Sequence, residues 1–239
     1  MQANSKDRRL TTVHRMPYGK DRKQKAQNSR LKTQDQRFMS EQSQYSFILA
    51  SASPRRKKLL AEAGYKFTVV QPGIDESAFP AKDIKACEYA ERLALAKAKN
   101  VAEKYPDSLV IGADTVVDFK GQIIGKPANA KEAEQITKKL FSRPHKVITG
   151  IAIVRLRDGI ELSESDTTTI YPKRLTSEQI AEHIKSETWR DKAGAYSIKE
   201  NGDEFIERIQ GSLTNVMGLP MELLEQLLKR FIKKETPTQ

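Results

Sequence analysis

Four cations stand where a helix ordinarily carries acids. In SASPRRKKLL, Ser51–Leu60, Ser53 reads as an N-cap and Pro54 as the first helical residue, so Arg55, Arg56, Lys57 and Lys58 fill the first turn. The helix dipole is positive there, and each exposed cation costs about 0.3–1 kcal/mol at low salt. A bound polyanion relieves the conflict. Backbone N–H groups at the helix start, the hydroxyls of Ser51 and Ser53 and two guanidiniums together suit phosphate groups. The alternative is an ordinary helix start whose cations are solvated.

Two acids complement these cations. Glu76 lies in PGIDES, Pro72–Ser77, a loop after an apolar run, where a solvated loop charge is the plainer reading. Asp114 interrupts VIGADTVV, Val110–Val117. A carboxylate there is costly unless paired or metal-bound. It reads as an acid at a strand's end, where α/β ligands commonly lie; a turn aspartate before a hairpin is the alternative. Lys97 falls within the apolar stripe Ala90, Leu93, Ala94, Ala98, Val101, so it either snorkels or points its ammonium into a cleft. Lys126 follows a short strand in IIGKP.

Taken together, Arg55, Arg56, Lys97 and Lys126 with Glu76 and Asp114 suit hydrolysis of a nucleotide phosphoanhydride. Carboxylates hold a divalent cation, Mg²⁺ or else Mn²⁺, against the phosphates, and one orients or deprotonates the attacking water. Cations neutralise the leaving group. The sequence has no G-x-x-x-x-G-K-[ST], which excludes a P-loop enzyme.

The elements that must carry these residues alternate. Phe47–Ala50, Phe67–Val70, Leu109–Ile111, Val147–Val154, Ile160–Tyr171 and Glu204–Ile209 read as strands, several buried on both faces. Thr115–Phe119 and Gln122–Ile124 flank Lys120-Gly121, a two-residue hairpin signal. Helical periodicity covers Arg55–Ala63, Ile84–Lys104, Lys131–Phe141, Ser177–Ser186 and Met221–Ile232. Asn129 with Glu132 and Thr176 with Gln179 resemble capping boxes, and Pro220 opens the last helix. This order predicts one mixed α/β domain over residues 45–235.

Hydrophobic residues make up 38% of the 239, enough for a core of ordinary size. No apolar run approaches the roughly 20 residues of a membrane-spanning helix, and the N-terminus carries no apolar secretory segment. Cys87 is the single cysteine, which excludes an internal disulfide and suits the cytoplasm. His14, His145 and His183 are scattered, which argues against zinc. Of the net charge of +11, residues 1–44 hold +7, from eleven Lys/Arg against four Asp/Glu, leaving +4 for the rest. That polar segment reads as disordered. It suits an arm for RNA or membrane contact, a transit peptide, or an extension upstream of a start at Met39.

The motifs LASASPRRKKLL, GIDES, RLALAKA, GADTVV, GKP, DKAGAYSI and GLPM follow the order and spacing of the Maf proteins, from about Phe47 to Leu228. The resemblance implies a nucleoside triphosphate pyrophosphatase that releases a monophosphate and pyrophosphate in house-cleaning of nucleotide pools. It implies an elongated α/β mixed-sheet fold with a central cleft, like that of inosine triphosphatases, a divalent metal, and often a homodimer. Carried over by position, Asp114 is the proton acceptor and a metal ligand, and Glu76 is a metal-associated acid. Ser53, Arg56, Lys97 and Lys126 serve the phosphates, and Arg55 and Thr115 bear on base preference. The Arg-Arg and Asp-Thr pairs with DKAGAY resemble the branch acting on dTTP and UTP.

One departure affects specificity. That branch usually continues AGAY with Gly-Ile-Gln-Gly, whereas this chain has Ser197-Ile198-Lys199-Glu200, so Lys199 stands in place of a glutamine. An amide donates and accepts, and an ammonium only donates. ERIQGSLTN has some character of the 7-methyl-GTP branch. A basic nucleic-acid-binding protein and a nucleotide sensor are the rival readings; with 7% aromatic residues, the chain offers few stacking platforms for the first.

Overall fold

Apolar runs of β-branched residues form most strands here, and those over Leu109–Phe119 and His145–Arg155 are buried on both faces. The computed structural model describes residues 46–196, 198 and 205–235. The basic segment 1–44 and Lys199 lie outside the described residues. The strands are β1 (Ser46–Ala50), β2 (Lys66–Val69), β3 (Leu109–Phe119), β4 (Gln122–Ile124), β5 (His145–Arg155), β6 (Ile160–Pro172) and β7 (Ile206–Gln210). The helices are α1 (Pro54–Glu62), α2 (Ala86–Ala102), α3 (Ala130–Leu140), α4 (Ser177–Lys185), α5 (Leu213–Val216) and α6 (Met221–Glu235).

The strands form one mixed sheet of seven, in the order β2-β1-β3-β5-β6-β7, with β4 folded back on β3. β1 is parallel to β2 and β3, and the remaining pairs are antiparallel. This is the mixed α/β class the sequence implies. Lys120 and Gly121 both take positive φ (55° and 81°), as a two-residue turn matching strand twist requires. Thr176 and Gln179 form a complete capping box at α4. At α3 the cap is shared differently: Asn129 accepts from the Glu132 N–H, while the Glu132 carboxylate reaches the N–H of Ala128.

Two layers of helix cover the central strands. On one face Leu59 and Leu60 of α1 and Leu224, Leu227, Leu228 and Phe231 of α6 pack on Leu49, Ile111 and Ile153. On the other, Ala94, Ala98 and Val101 of α2 pack on Val110, Ala152 and Val154. This second contact is unusually close. A Cβ on Gly112 would meet the carbonyl oxygen of Ala94 at 2.2 Å, and one on Gly150 would meet that of Ala90 at 2.5 Å.

One expectation is corrected. Leu109–Phe119 is a single strand, so Asp114 stands in mid-strand, opposite Gly150 of β5, and neither ends a strand nor occupies a turn. Its cost is met by a tertiary partner rather than by a break in the strand. The feature that resembled a strand's end is real in the neighbour. β1 stops at Ala50, opposite Gly112, so β3 runs on past it.

Candidate functional site

The end of β1 creates the site. Beyond Gly112 the edge of β3 loses its parallel neighbour until β4 joins at Val117. Side chains on a strand alternate between faces. Asp114 therefore points toward α2 and Thr115 toward α1, yet both open on the gap. A cavity of about 750 Å³ fills it, lined by the β1–α1 loop, the segment after β2, the centre of β3 and the turn before α6.

Lys97 is the hub of its acidic half. The ammonium lies 2.6 Å from Asp114 Oδ1 and 2.7 Å from Glu76 Oε1, with Lys97 and Asp114 both buried. Close packing of α2 on Gly112 and Gly150 brings the Lys97 stem down to the sheet, so the residue that broke the apolar stripe points into the cavity instead of snorkelling to solvent. Glu76 begins a 3-10 turn, Glu76–Ala78, capped by Asp75 through the Ser77 N–H. Burial raises the Glu76 pKa, but the Lys97 hydrogen bond and charge, with Lys126 and Arg56, outweigh it and hold the carboxyl below its ordinary value. Lys126 stands 3.9 Å from the other oxygen of Glu76 and is exposed.

Arg56 organises the opposite wall. Its Nε donates to the Gly218 carbonyl at 2.7 Å, one terminal nitrogen to Ser51 Oγ at 3.0 Å and the other to Thr115 Oγ1 at 3.0 Å. Three of its five N–H donors are thus fixed on protein acceptors. Burial lowers its pKa, offset in part by the Asp114 charge. Ser51 Oγ also accepts from the Ser53 N–H at 3.2 Å. Ser53 holds the N-cap position without a side-chain capping bond, and its hydroxyl lines the cavity.

The four cations of α1 divide. Arg55 and Arg56 line the cavity, whereas Lys57 and Lys58 face solvent, and Lys58 pairs with Glu62 at 3.6 Å. Only half of the run serves the site. Burial lowers the pKa of Arg55 as well. The far wall is more apolar: Val117, Val147, Tyr196, Val216 and Met217 face it.

Ser53, Arg55, Arg56, Glu76, Lys97, Asp114, Thr115 and Lys126 all line this one cavity. Sequence reasoning missed the Gly218 carbonyl, Thr149 and Asn215. Thr149 Oγ1 lies 2.9 Å from Thr115 Oγ1 and donates to the Asn215 carbonyl at 2.9 Å. A Thr-Gly pair inside the apolar run Val147–Val154 was the available signal.

A family model described as Maf-like protein matches residues 46–231. A dTTP/UTP pyrophosphatase of Symbiobacterium thermophilum is 42% identical over 77% of this chain and 93% of its own length. One of Bdellovibrio bacteriovorus is 41% identical over 77% of this chain and 97% of its own. Among solved structures, the Ham1 protein of Staphylococcus aureus covers 80% of this chain and all of its own at 12% identity, with a TM-score of 0.46. The family model spans nearly the whole α/β unit and holds every residue of the cavity's two charged walls; this chain belongs to the Maf-like family.

Proposed function

We propose that the chain hydrolyses a nucleoside triphosphate of the dTTP/UTP type to the monophosphate and pyrophosphate, in house-cleaning of nucleotide pools. The observation that carries this reading is the convergence of Glu76, Lys97 and Asp114 at the cavity that α1 opens on. The relatives' names supply the nucleotide class.

In this reading the triphosphate lies along the β1–α1 loop, where helix N–H groups, the Ser53 hydroxyl and the remaining donors of Arg56 receive phosphate oxygens. Water attacks the α-phosphorus, the bond to the α–β bridging oxygen breaks, and pyrophosphate leaves with that oxygen. Asp114 accepts the proton of the attacking water. Lys97 and Lys126 balance charge on the departing pyrophosphate.

Glu76 and Asp114 would hold a divalent cation, Mg²⁺ or Mn²⁺. The donor set fits such an ion. Glu76 and Asp114 converge on the Lys97 ammonium, and Mg²⁺ commonly takes one or two carboxylates together with substrate phosphates. Among the described residues no group of three His, Cys, Asp or Glu forms a complete protein cage. When bound, the cation neutralises phosphate charge in the transition state.

No helix among the described residues is long and apolar enough to cross a membrane. A cytoplasmic homodimer belongs to the reading on family resemblance, and sedimentation tests the dimer. The decisive experiment is incubation with dTTP, UTP, CTP and 7-methyl-GTP in the presence of Mg²⁺ while pyrophosphate is measured. Release from dTTP or UTP is expected, and release from none of the four overturns the proposal.

A further inference from the structure

Arg56 belongs to a closed ring of hydrogen bonds. The Gly218 N–H donates to the Asn215 carbonyl at 2.9 Å, and the Gly218 carbonyl accepts from Arg56 Nε at 2.7 Å. Arg56 donates to Thr115 Oγ1 at 3.0 Å, Thr115 meets Thr149 at 2.9 Å, and Thr149 returns to the Asn215 carbonyl at 2.9 Å. Asn215 itself is fixed, donating from Nδ2 to the Val147 carbonyl at 3.0 Å and to Thr168 Oγ1 at 2.9 Å. Thr149 and Asn215 are fully buried.

Proton counting gives the ring a direction. A backbone carbonyl only accepts, so the single hydroxyl proton of Thr149 is committed to Asn215. Thr149 can then meet Thr115 only as an acceptor, which obliges Thr115 to donate its own proton inward. A guanidinium only donates, so Thr115 accepts from Arg56. Thr115, which lines the cavity, therefore has no proton left to offer there, only a lone pair. Phosphate oxygens are acceptors at neutral pH and gain nothing from it. A ring or exocyclic N–H is the complementary partner.

We propose that Thr149, out of reach of any ligand, is a positioning residue that makes Thr115 an acceptor toward the cleft and so favours a nucleobase presenting a ring N–H there. The inference rests on the nucleotide reading above. Uracil and thymine carry a hydrogen on N3 and cytosine does not, so the same contact that accepts from the first two opposes the lone pair of the third. A site built for one hydrogen-bond polarity rejects the opposite one because a buried polar group is left unpaired.

The test is calorimetric titration of α,β-methylene analogues of UTP and CTP, with Mg²⁺, against the full chain and its variants. Wild type should bind the UTP analogue more tightly. Thr149→Val keeps the branched shape but removes the hydroxyl, freeing the Thr115 proton to turn toward the cleft. The UTP/CTP affinity ratio should fall about tenfold, the scale of one hydrogen bond, and Thr149→Ser should restore it. A packing defect alone weakens both analogues equally, so an unchanged ratio in Thr149→Val overturns the proposal, as does a wild type that does not distinguish the two. Should Thr149→Val fail to fold, Thr115→Val decides: it removes the acceptor, and the ratio must again fall. Pyrophosphate release is read separately. A chain that hydrolyses UTP with an unchanged ratio refutes this inference alone, whereas a changed ratio without hydrolysis refutes the enzymatic reading alone.

Discussion

Lys97 and Asp114, seventeen residues apart in sequence, hold their charges 2.6 Å apart between a helix and the middle of a strand. Glu76 completes the group at 2.7 Å, so one ammonium answers two carboxylates. Lys126, 3.9 Å from the other Glu76 oxygen, brings a second ammonium to the same acid. Lys97 stands between the two acids that would hold a metal ion.

Replacing Lys97 by Met leaves Asp114 without its ammonium and Glu76 with only the exposed Lys126 at 3.9 Å. Removing one member of a buried pair typically costs 3–5 kcal/mol; Glu76 is 44% exposed, so about 2–3 kcal/mol is expected here. Mg²⁺ should recover part of it. The rise in melting temperature on adding Mg²⁺ should be larger in the variant than in wild type, because the metal no longer competes with the ammonium. An equal rise in both proteins would mean that the carboxylates do not hold the ion.

Asp114→Asn preserves shape while removing the charge that faces Lys97, which keeps Glu76 as a partner. The amide cannot take a proton from water. A loss of about 10²–10⁴ in turnover is expected, with nucleotide binding retained and the unfolding transition still cooperative. Pyrophosphate release at the wild-type rate would remove Asp114 from the chemistry.

Much of this site was legible in the sequence because its residues violate local rules. Lys97 breaks an apolar stripe, Asp114 breaks an apolar run, and Arg55 and Arg56 oppose a dipole; each violation marks a cost met elsewhere in the fold. The manner of compensation was not legible. Asp114 resembled a strand's end because a carboxylate in mid-strand needs a partner, and that partner comes from α2. Lys57 and Lys58 share the charge of Arg55 and Arg56 but sit on the outer side of the same turn. The acceptor for Arg56 Nε lies 162 residues away in a turn after α5, whose four residues are too few for periodicity to reveal. Thr149 was hidden for the opposite reason. A β-branched residue suits a strand, so the Thr-Gly pair interrupts the apolar run without violating any local rule.

The approach of α2 to the sheet gives a steric prediction. A methyl on Gly150 would lie 2.5 Å from the Ala90 carbonyl, and backbone cannot swing aside as a side chain can. Gly150→Ala should lower stability by about 3 kcal/mol, near the upper range for overpacking, read from urea midpoints. Gly112→Ala, with contact at 2.2 Å, should cost at least as much. Gly125→Ala meets nothing within 4 Å and should stay within about 0.5 kcal/mol. Because the same contact sets the height of Lys97, turnover should fall in the first two variants even below their melting temperatures. Stability equal to that of Gly125→Ala would show that the helix sits farther from the strands.

His145 predicts the response to acid. It is 2% exposed, with Nε2 2.6 Å from the Tyr196 hydroxyl and Nδ1 3.4 Å from the Arg143 carbonyl. A carbonyl only accepts, so Nδ1 carries the proton and Nε2 accepts from Tyr196, whose ring lines the cavity. Burial lowers the His145 pKa below its ordinary 6.5, and the carbonyls of Arg143 and Leu140 pull it back only in part. As pH falls through 6.5 the unfolded chain therefore takes up a proton that the folded chain resists. Stability from this residue is full above 6.5 and is lost as pH falls toward the folded pKa. Protonation also makes Nε2 a donor, which obliges the Tyr196 hydroxyl to turn and accept. Melting temperature should decline from pH 7 to 5.5 in wild type and decline less in His145→Gln, whose amide is neutral throughout. Parallel curves for the two proteins would assign the acid sensitivity to other groups.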